Sequence, residues 1–282
     1  MLARTRCKSA SLGKTLPSVN RQAFSLQAEK KGPQERVSRR NDGFQMPLEQ
    51  VPLKSSAVVW KVTPLFAEWV SSDWNIFFQS SILDDESLVL ELGAGISGLI
   101  ALSLAPKVKR YLATDQDYVL KILRENIARN SDGTASHPKR QGTRRKRSAG
   151  SQADGTSTIE VIHFDWETSS ASSLYAQTTL AAGQDHITAV IAADCIYNEA
   201  LIQPLVETCS DVCRLASEEK PTLCIIVQQL RSPDVFEEWL KAFHSRFRVW
   251  RVPDELLSEE LKVKNGFVMH VGILRDEEKT RR

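Results

Sequence analysis

The sequence predicts a doubly wound α/β fold, a seven-stranded sheet with helices on both faces and an antiparallel terminal strand. Three observations carry that expectation. From residue 88 onward, short apolar runs alternate with segments of helical period, the pattern of βαβ units. A glycine-rich turn, Gly93 to Gly98, separates the first of these runs from the helical segment behind it. The last two runs, 247–252 and 267–274, form a hairpin-like pair that closes the sheet.

Ordered structure is expected from about residue 53. Ala57, Val58, Val59 and Trp60 open an apolar stretch. Behind Pro64, a residue favoured at the first helical position, Leu65, Phe66, Trp69 and Val70 fall at helical spacing. After Asp84, Asp85 and Glu86, residues 88–92 read as a buried strand stopped by Gly93, and residues 97–104 as the next helix. A second strand spans 108–113 and ends at Thr114 and Asp115; a helix over 119–130 has Leu120, Ile122, Leu123 and Ile127 as its apolar face. Gly, Ser, Thr and Pro then break the pattern over 131–157, which reads as a disordered surface insertion carrying Lys139, Arg140, Arg144, Arg145, Lys146 and Arg147. The alternation resumes with a strand at 159–164, a long polar connection, and a central parallel strand at 187–193. A helix at 201–215, a strand at 223–227 and a helix at 235–247, with Phe236, Trp239 and Phe243 inward, lead to the closing pair.

Hydrophobic residues at 41% and charged residues at 26% are ordinary for a globular protein, and 282 residues suffice for one sizeable core with extensions. We therefore expect a basic, disordered tail over 1–52, one domain over 53–275, and a charged tail over 276–282. The net charge of +2 does not argue for a nucleic-acid groove. No apolar run approaches the ~20 residues of a membrane span, so no membrane partner is expected. The five cysteines form no paired CxxC pattern, which points to a reducing compartment and to no metal. The first 28 residues hold Arg4, Arg6, Lys8, Lys14 and Arg21 and no acidic residue. A plain basic tail is the preferred reading, with a mitochondrial presequence as the alternative.

The run Glu91-Leu92-Gly93-Ala94-Gly95-Ile96-Ser97-Gly98 is a turn between strand and helix that lets a ligand approach the backbone closely. Asp115, at the end of the next strand, is placed to accept hydrogen bonds from both ribose hydroxyls of an adenosine. This pairing suits NAD as well as S-adenosylmethionine. Asp165-Trp166 after the third strand and Asp194-Cys195-Ile196-Tyr197 after the fourth also fall at the carboxyl edge, where open α/β sheets bind ligands.

An acidic residue opening the glycine turn, an Asp-Trp pair after the third strand and an Asp-x-x-Tyr after the fourth occur here in that order, and in this the chain resembles the seven-strand protein-lysine methyltransferases of family 16, with a Rossmann-like core. The segment Trp60 to Trp69 and residues 90–99 look most like the fungal ribosomal lysine methyltransferases within it. A serine at 55 or 56 stands where the family has a glycine before its tryptophan. The resemblance spans residues 55–275 and implies S-adenosylmethionine as cofactor. It implies that Gly93, Gly95 and Ala193 border the cofactor, that Glu91 bonds its amino group, that Asp115 holds the ribose, that Asp165 and Trp166 take the adenine, and that Trp60 walls the pocket. Asp194 and Tyr197 would face a lysine of a protein substrate, ribosomal or associated with translation, with Asp194 orienting the amine.

Two other classes fit parts of the pattern. Gly93, Gly95, Gly98 and Asp115 satisfy an NAD fingerprint, giving an NAD-dependent oxidoreductase, although no further catalytic set accompanies it. An inactive cofactor-binding interaction module and a small-amine N-methyltransferase are the remaining alternatives. The resemblance further suggests a cytoplasmic or nuclear monomer, with weak RNA contact through the basic insertion.

Overall fold

A computed structural model describes residues 59–131, 158–178, 186–215 and 220–276. The expected insertion past Ser131, the tail over 1–52 and all of the C-terminal tail but Asp276 lie outside the described residues.

Seven strands form one sheet: β1 (Leu88–Leu92), β2 (Arg110–Asp115), β3 (Thr158–His163), β4 (Ala189–Ala193), β5 (Leu223–Gln229), β6 (Phe247–Arg251) and β7 (Phe267–Leu274). Their order is β3-β2-β1-β4-β5-β7-β6. The first five pair in parallel, while β7 runs antiparallel to both β5 and β6. The chain therefore winds outward through β1, β2 and β3, returns, and winds the other way from β4. That reversal leaves a crevice between the carboxyl ends of β1 and β4, the place where such sheets take ligands.

Period-two alternation divides each strand between two cores. Leu88, Leu90 and Leu92 face one, with Leu112, Val190, Ala192, Cys224 and Ile226. Helices α6 (Ile202–Arg214) and α7 (Pro233–Arg246) cover it through Leu205, Val206, Cys209, Trp239 and Phe243. Val89 faces the other with Tyr111, Ala113, Ile191, Ile225 and Val227, under α1 (Val62–Ser71), α3 (Leu99–Leu104) and α4 (Asp117–Ser131). Glu91 follows Val89 onto this second face, so a carboxyl group is buried where the alternation calls for an apolar side chain.

Helix α1 begins at Val62, two residues before Pro64, which occupies its first turn. Helix α3 begins at Leu99 because Gly98 caps it in the left-handed conformation, φ 61°. A Cβ on Gly98 would meet Ile127 Cγ1 at 2.8 Å, so the missing side chain also lets α4 pack against this turn. Two short helices escape the sequence pattern. Helix α2 (Ile76–Gln79) is fixed by Asn75, whose side chain accepts from the amides of Phe77 and Phe78 at 2.9 and 3.3 Å and donates to the Val70 carbonyl at 2.9 Å. Helix α5 (Ser172–Gln177) lies within the stretch expected to be a polar connection, held by the single buried side chain Leu174.

Candidate active site

The carboxyl ends of β1, β2 and β4, with the loop after β3, surround an open cleft of about 860 Å³, the solvent at its mouth included. Of the residues singled out from the sequence, Trp60, Glu91, Gly93, Gly95, Asp115, Trp166, Ala193, Asp194 and Tyr197 all line it. Asp165 does not. Its carboxylate accepts from the Glu167 amide at 3.0 Å and from Gln116 Nε2 at 3.1 Å, so it braces the wall through Gln116, which does line the cleft. Gln116 and Glu167, rather than Asp165 itself, line the cleft at this point.

The glycine turn is held from three sides. Ala94 N–H donates to the Thr114 carbonyl at 2.9 Å, Gly95 N–H to Asp115 Oδ2 at 2.8 Å, and Asn126 Nδ2 to the Ile96 carbonyl at 2.7 Å. Gly93 has φ +70°, and a Cβ there would stand 2.9 Å from Cys195 Sγ and 3.0 Å from the Trp166 ring. Indole, thiol and strand end are therefore packed directly on its backbone.

Glu91 is 2% exposed and accepts from the Tyr111 hydroxyl at 2.8 Å. Burial pushes its carboxyl up to about 7; the Tyr111 bond opposes this and the nearby Asp115 adds to it. Asp115 is raised from its ordinary value by burial as well, against the pull of the Gln116 and Gly95 amides. Burial pushes the Cys195 thiol well above its usual range, which makes it a packing group rather than a nucleophile.

Asp194 has φ 60°, rare for a residue with a side chain and held by its amide donating to the Val227 carbonyl at 2.7 Å. Its side chain is fully buried and paired with Arg231, whose Nη1 donates to Oδ1 at 2.9 Å and whose Nη2 donates to Oδ2. The Arg231 guanidinium also lies over the Trp60 ring, 4.6 Å from its centroid. Both oxygens of Asp194, the residue expected to orient an incoming amine, are thus paired with a cation of the protein itself. Arg231 was not singled out from the sequence, and it is the strand register that explains its place. Ala193 pairs with Val227, so a charge just past β5 falls beside whatever follows β4.

Chemically, the cleft is acidic. Glu91, Asp115, Glu167 and Asp194 line it, and none of the described lining residues is basic. The Gly95 N–H, which a pyrophosphate-binding turn would offer to its ligand, is already given to Asp115. Among the described lining residues a dinucleotide phosphate would thus meet carboxylates and no cation, whereas a ligand with an adenosine and two positive groups meets complementary charge. The buried Trp166 Nε1 has no partner among the described protein groups, leaving an indole donor unassigned at the wall. These residues fit S-adenosylmethionine and disfavour NAD.

Comparison with known proteins agrees. A family model described as lysine methyltransferase matches residues 41–141. Ribosomal lysine N-methyltransferase 5 of Zygosaccharomyces rouxii is 28% identical over 65% of this chain and 62% of its own length. The Kluyveromyces lactis protein of that name is 26% identical over 77% of this chain and 72% of its own. A Schizosaccharomyces pombe protein named diaminohydroxyphosphoribosylamino-pyrimidine deaminase is 29% identical over 72% of this chain, but over only 41% of its own length. The chain thus spans less than two thirds of the Zygosaccharomyces relative it matches.

Proposed function

We propose, from the match of residues 41–141 to a lysine methyltransferase model, that the chain transfers a methyl group from S-adenosylmethionine to a lysine side chain of another protein, with a ribosomal protein as the substrate class. The observation that carries the cofactor half is the set of four carboxylates in a cleft whose described lining has no basic residue. The names of the fungal relatives support the acceptor half.

When bound, the cofactor supplies a methyl carbon on a sulfonium, which a neutral amine attacks in line while the sulfur leaves as a thioether. Glu91 would hold the cofactor's amino group and Asp115 its ribose, with Gln116 and Trp166 beside the adenine. The backbone at Gly93 lets the ligand lie against the strand end. Trp60 and Tyr197 border the acceptor side of the same cleft, where aromatic faces stabilise nearby cationic groups. Alignment of the two reactants supplies most of the rate, because no covalent intermediate is needed.

The test is transfer of tritiated methyl to ribosomal proteins from cells lacking the enzyme, with the labelled residue mapped by mass spectrometry. Label on a lysine is expected, and a loss of 100-fold or more, roughly 2.7 kcal/mol, in Asp194→Asn with cofactor affinity changed less than about threefold. Label on another residue type, or wild-type rates in the variant, would overturn the acceptor assignment.

A further inference from the structure

The two groups best suited to hold a lysine ammonium in this cleft, the buried Asp194 carboxylate and the Trp60 ring, already hold a cation of the protein's own. Arg231 meets both at once, with Gln229 Oε1 accepting from its Nη2 at 3.1 Å. Its side chain is one-third exposed, so the guanidinium sits at the rim rather than in the core. Tyr197 borders both the cleft and a smaller hollow lined by Arg231, Gln228, Ser232 and Phe236, which places Arg231 next to the acceptor approach.

We propose that Arg231 is the charge-setting residue of the acceptor site: it occupies the cation seat between Asp194 and Trp60, so that the substrate nitrogen is accepted as a neutral amine. The inference rests on the methyl-transfer reading. Its physical basis is the requirement of the reaction. Only the unprotonated amine has a lone pair, and an unpaired buried carboxylate would hold the ammonium as a salt bridge and keep the proton on. With the guanidinium in place, Asp194 and Arg231 together are neutral, and the fixed positive charge disfavours a second one beside it. The other described titratable groups facing the cleft are Glu91 from β1, Asp115 from β2, Tyr118 from α4, Glu167 after β3, and Cys195 and Tyr197 after β4. The first two lie on the cofactor side of the proposed arrangement, where two positive groups of the cofactor offset them.

The probe is n-butylammonium, an analogue of the lysine side chain, titrated calorimetrically into the full-length protein saturated with S-adenosylhomocysteine. The wild type should bind it weakly. Arg231→Gln, which vacates the seat and leaves the carboxylate, should bind it at least about tenfold more tightly, and adding Asp194→Asn should abolish the gain. With the unmethylated acceptor protein as substrate, the acid limb of the kcat profile, which reports the bound complex, should move up by about one pH unit in Arg231→Gln. A merely structural clamp would alter melting and cofactor affinity but not that limb. Arg231→Lys keeps the charge, so the fold does not depend on an unpaired Asp194. It should bind the probe weakly and keep its limb near the wild-type position. Equal probe affinity in wild type and Arg231→Gln, or tight binding or a displaced limb in Arg231→Lys, overturns the proposal. If the wild type methylates no lysine yet Arg231→Gln gains the probe, the methyl-transfer reading fails and the cation seat stands.

Discussion

Replacing Glu91 by Gln tests the electrostatics of the cleft most directly. The folded protein holds the Glu91 proton more tightly than the unfolded chain, with a value near 7 against 4.5. A raised folded value means that this group's contribution to stability is full below about 4.5 and is lost as pH climbs through 7. The difference, 7 − 4.5 = 2.5, corresponds to at most about 3 kcal/mol. Glutamine keeps an oxygen for the Tyr111 hydroxyl and does not titrate, so the variant should gain up to that amount over the wild type across this range. In thermal melts of a domain this size that is about 6 to 12 °C. Comparing the two proteins isolates Glu91. His270, pushed down to about 4 by burial and then by Arg251, acts with the opposite sign as pH falls, and is common to both. Cofactor binding should show the converse. Below pH 7 the wild type must ionise Glu91 to meet the cofactor's amino group, so its affinity should fall about tenfold per pH unit. The variant should be flat with pH and weaker than the wild type near pH 8 by about 1.5 to 3 kcal/mol. A variant melt that tracks the wild type throughout, or an equal pH slope of binding, refutes this account.

Gly93→Ala should cost about 1 to 3 kcal/mol of stability, read in a denaturant melt, and at least about tenfold in cofactor affinity, because the new methyl displaces Cys195 or Trp166 at a positive φ. Asp115→Ala should weaken S-adenosylmethionine by about 1.5 to 3 kcal/mol in calorimetry, through the lost ribose bonds and a released Gly95 amide, and unchanged affinity would remove it from the ribose. In the same calorimeter NAD should give no heat with the wild type, since the cleft is lined by carboxylates.

The strands were legible because a parallel sheet covered on both faces demands unbroken apolar runs, and residues 88–92 and 187–193 are such runs. Glu91 stood out by its place at the opening of the glycine turn, and its burial inside β1 became visible only with the fold. The direction a side chain takes was harder to read. Asp165 is at the strand end where it was expected, yet it turns back onto Glu167 and Gln116 in a local hydrogen-bonded turn, a choice made by loop geometry rather than by position. Helix α2 left no periodic trace, because four residues are too few for one and its stability comes from the buried Asn75. Arg231 is 37 residues from Asp194 in sequence, and only the register between β4 and β5 brings the two together. Such a pairing becomes visible once strand order is known.

The placement of β7 bears on how the molecule comes to exist at all. Strand β6 is made before β7 but reaches the sheet only through it, since β7 lies between β5 and β6. Until residues 267–274 leave the translation machinery, the outer edge of β5 has no partner, and its seven-residue apolar and amide-bearing ladder is open to any other extended chain. The half of the sheet that bears the cleft, β1 to β4, is complete in sequence long before that. The growing polypeptide must therefore carry a nearly finished cofactor cleft beside a bare, association-prone border, and β7, the last of the described strands, is the one that seals it.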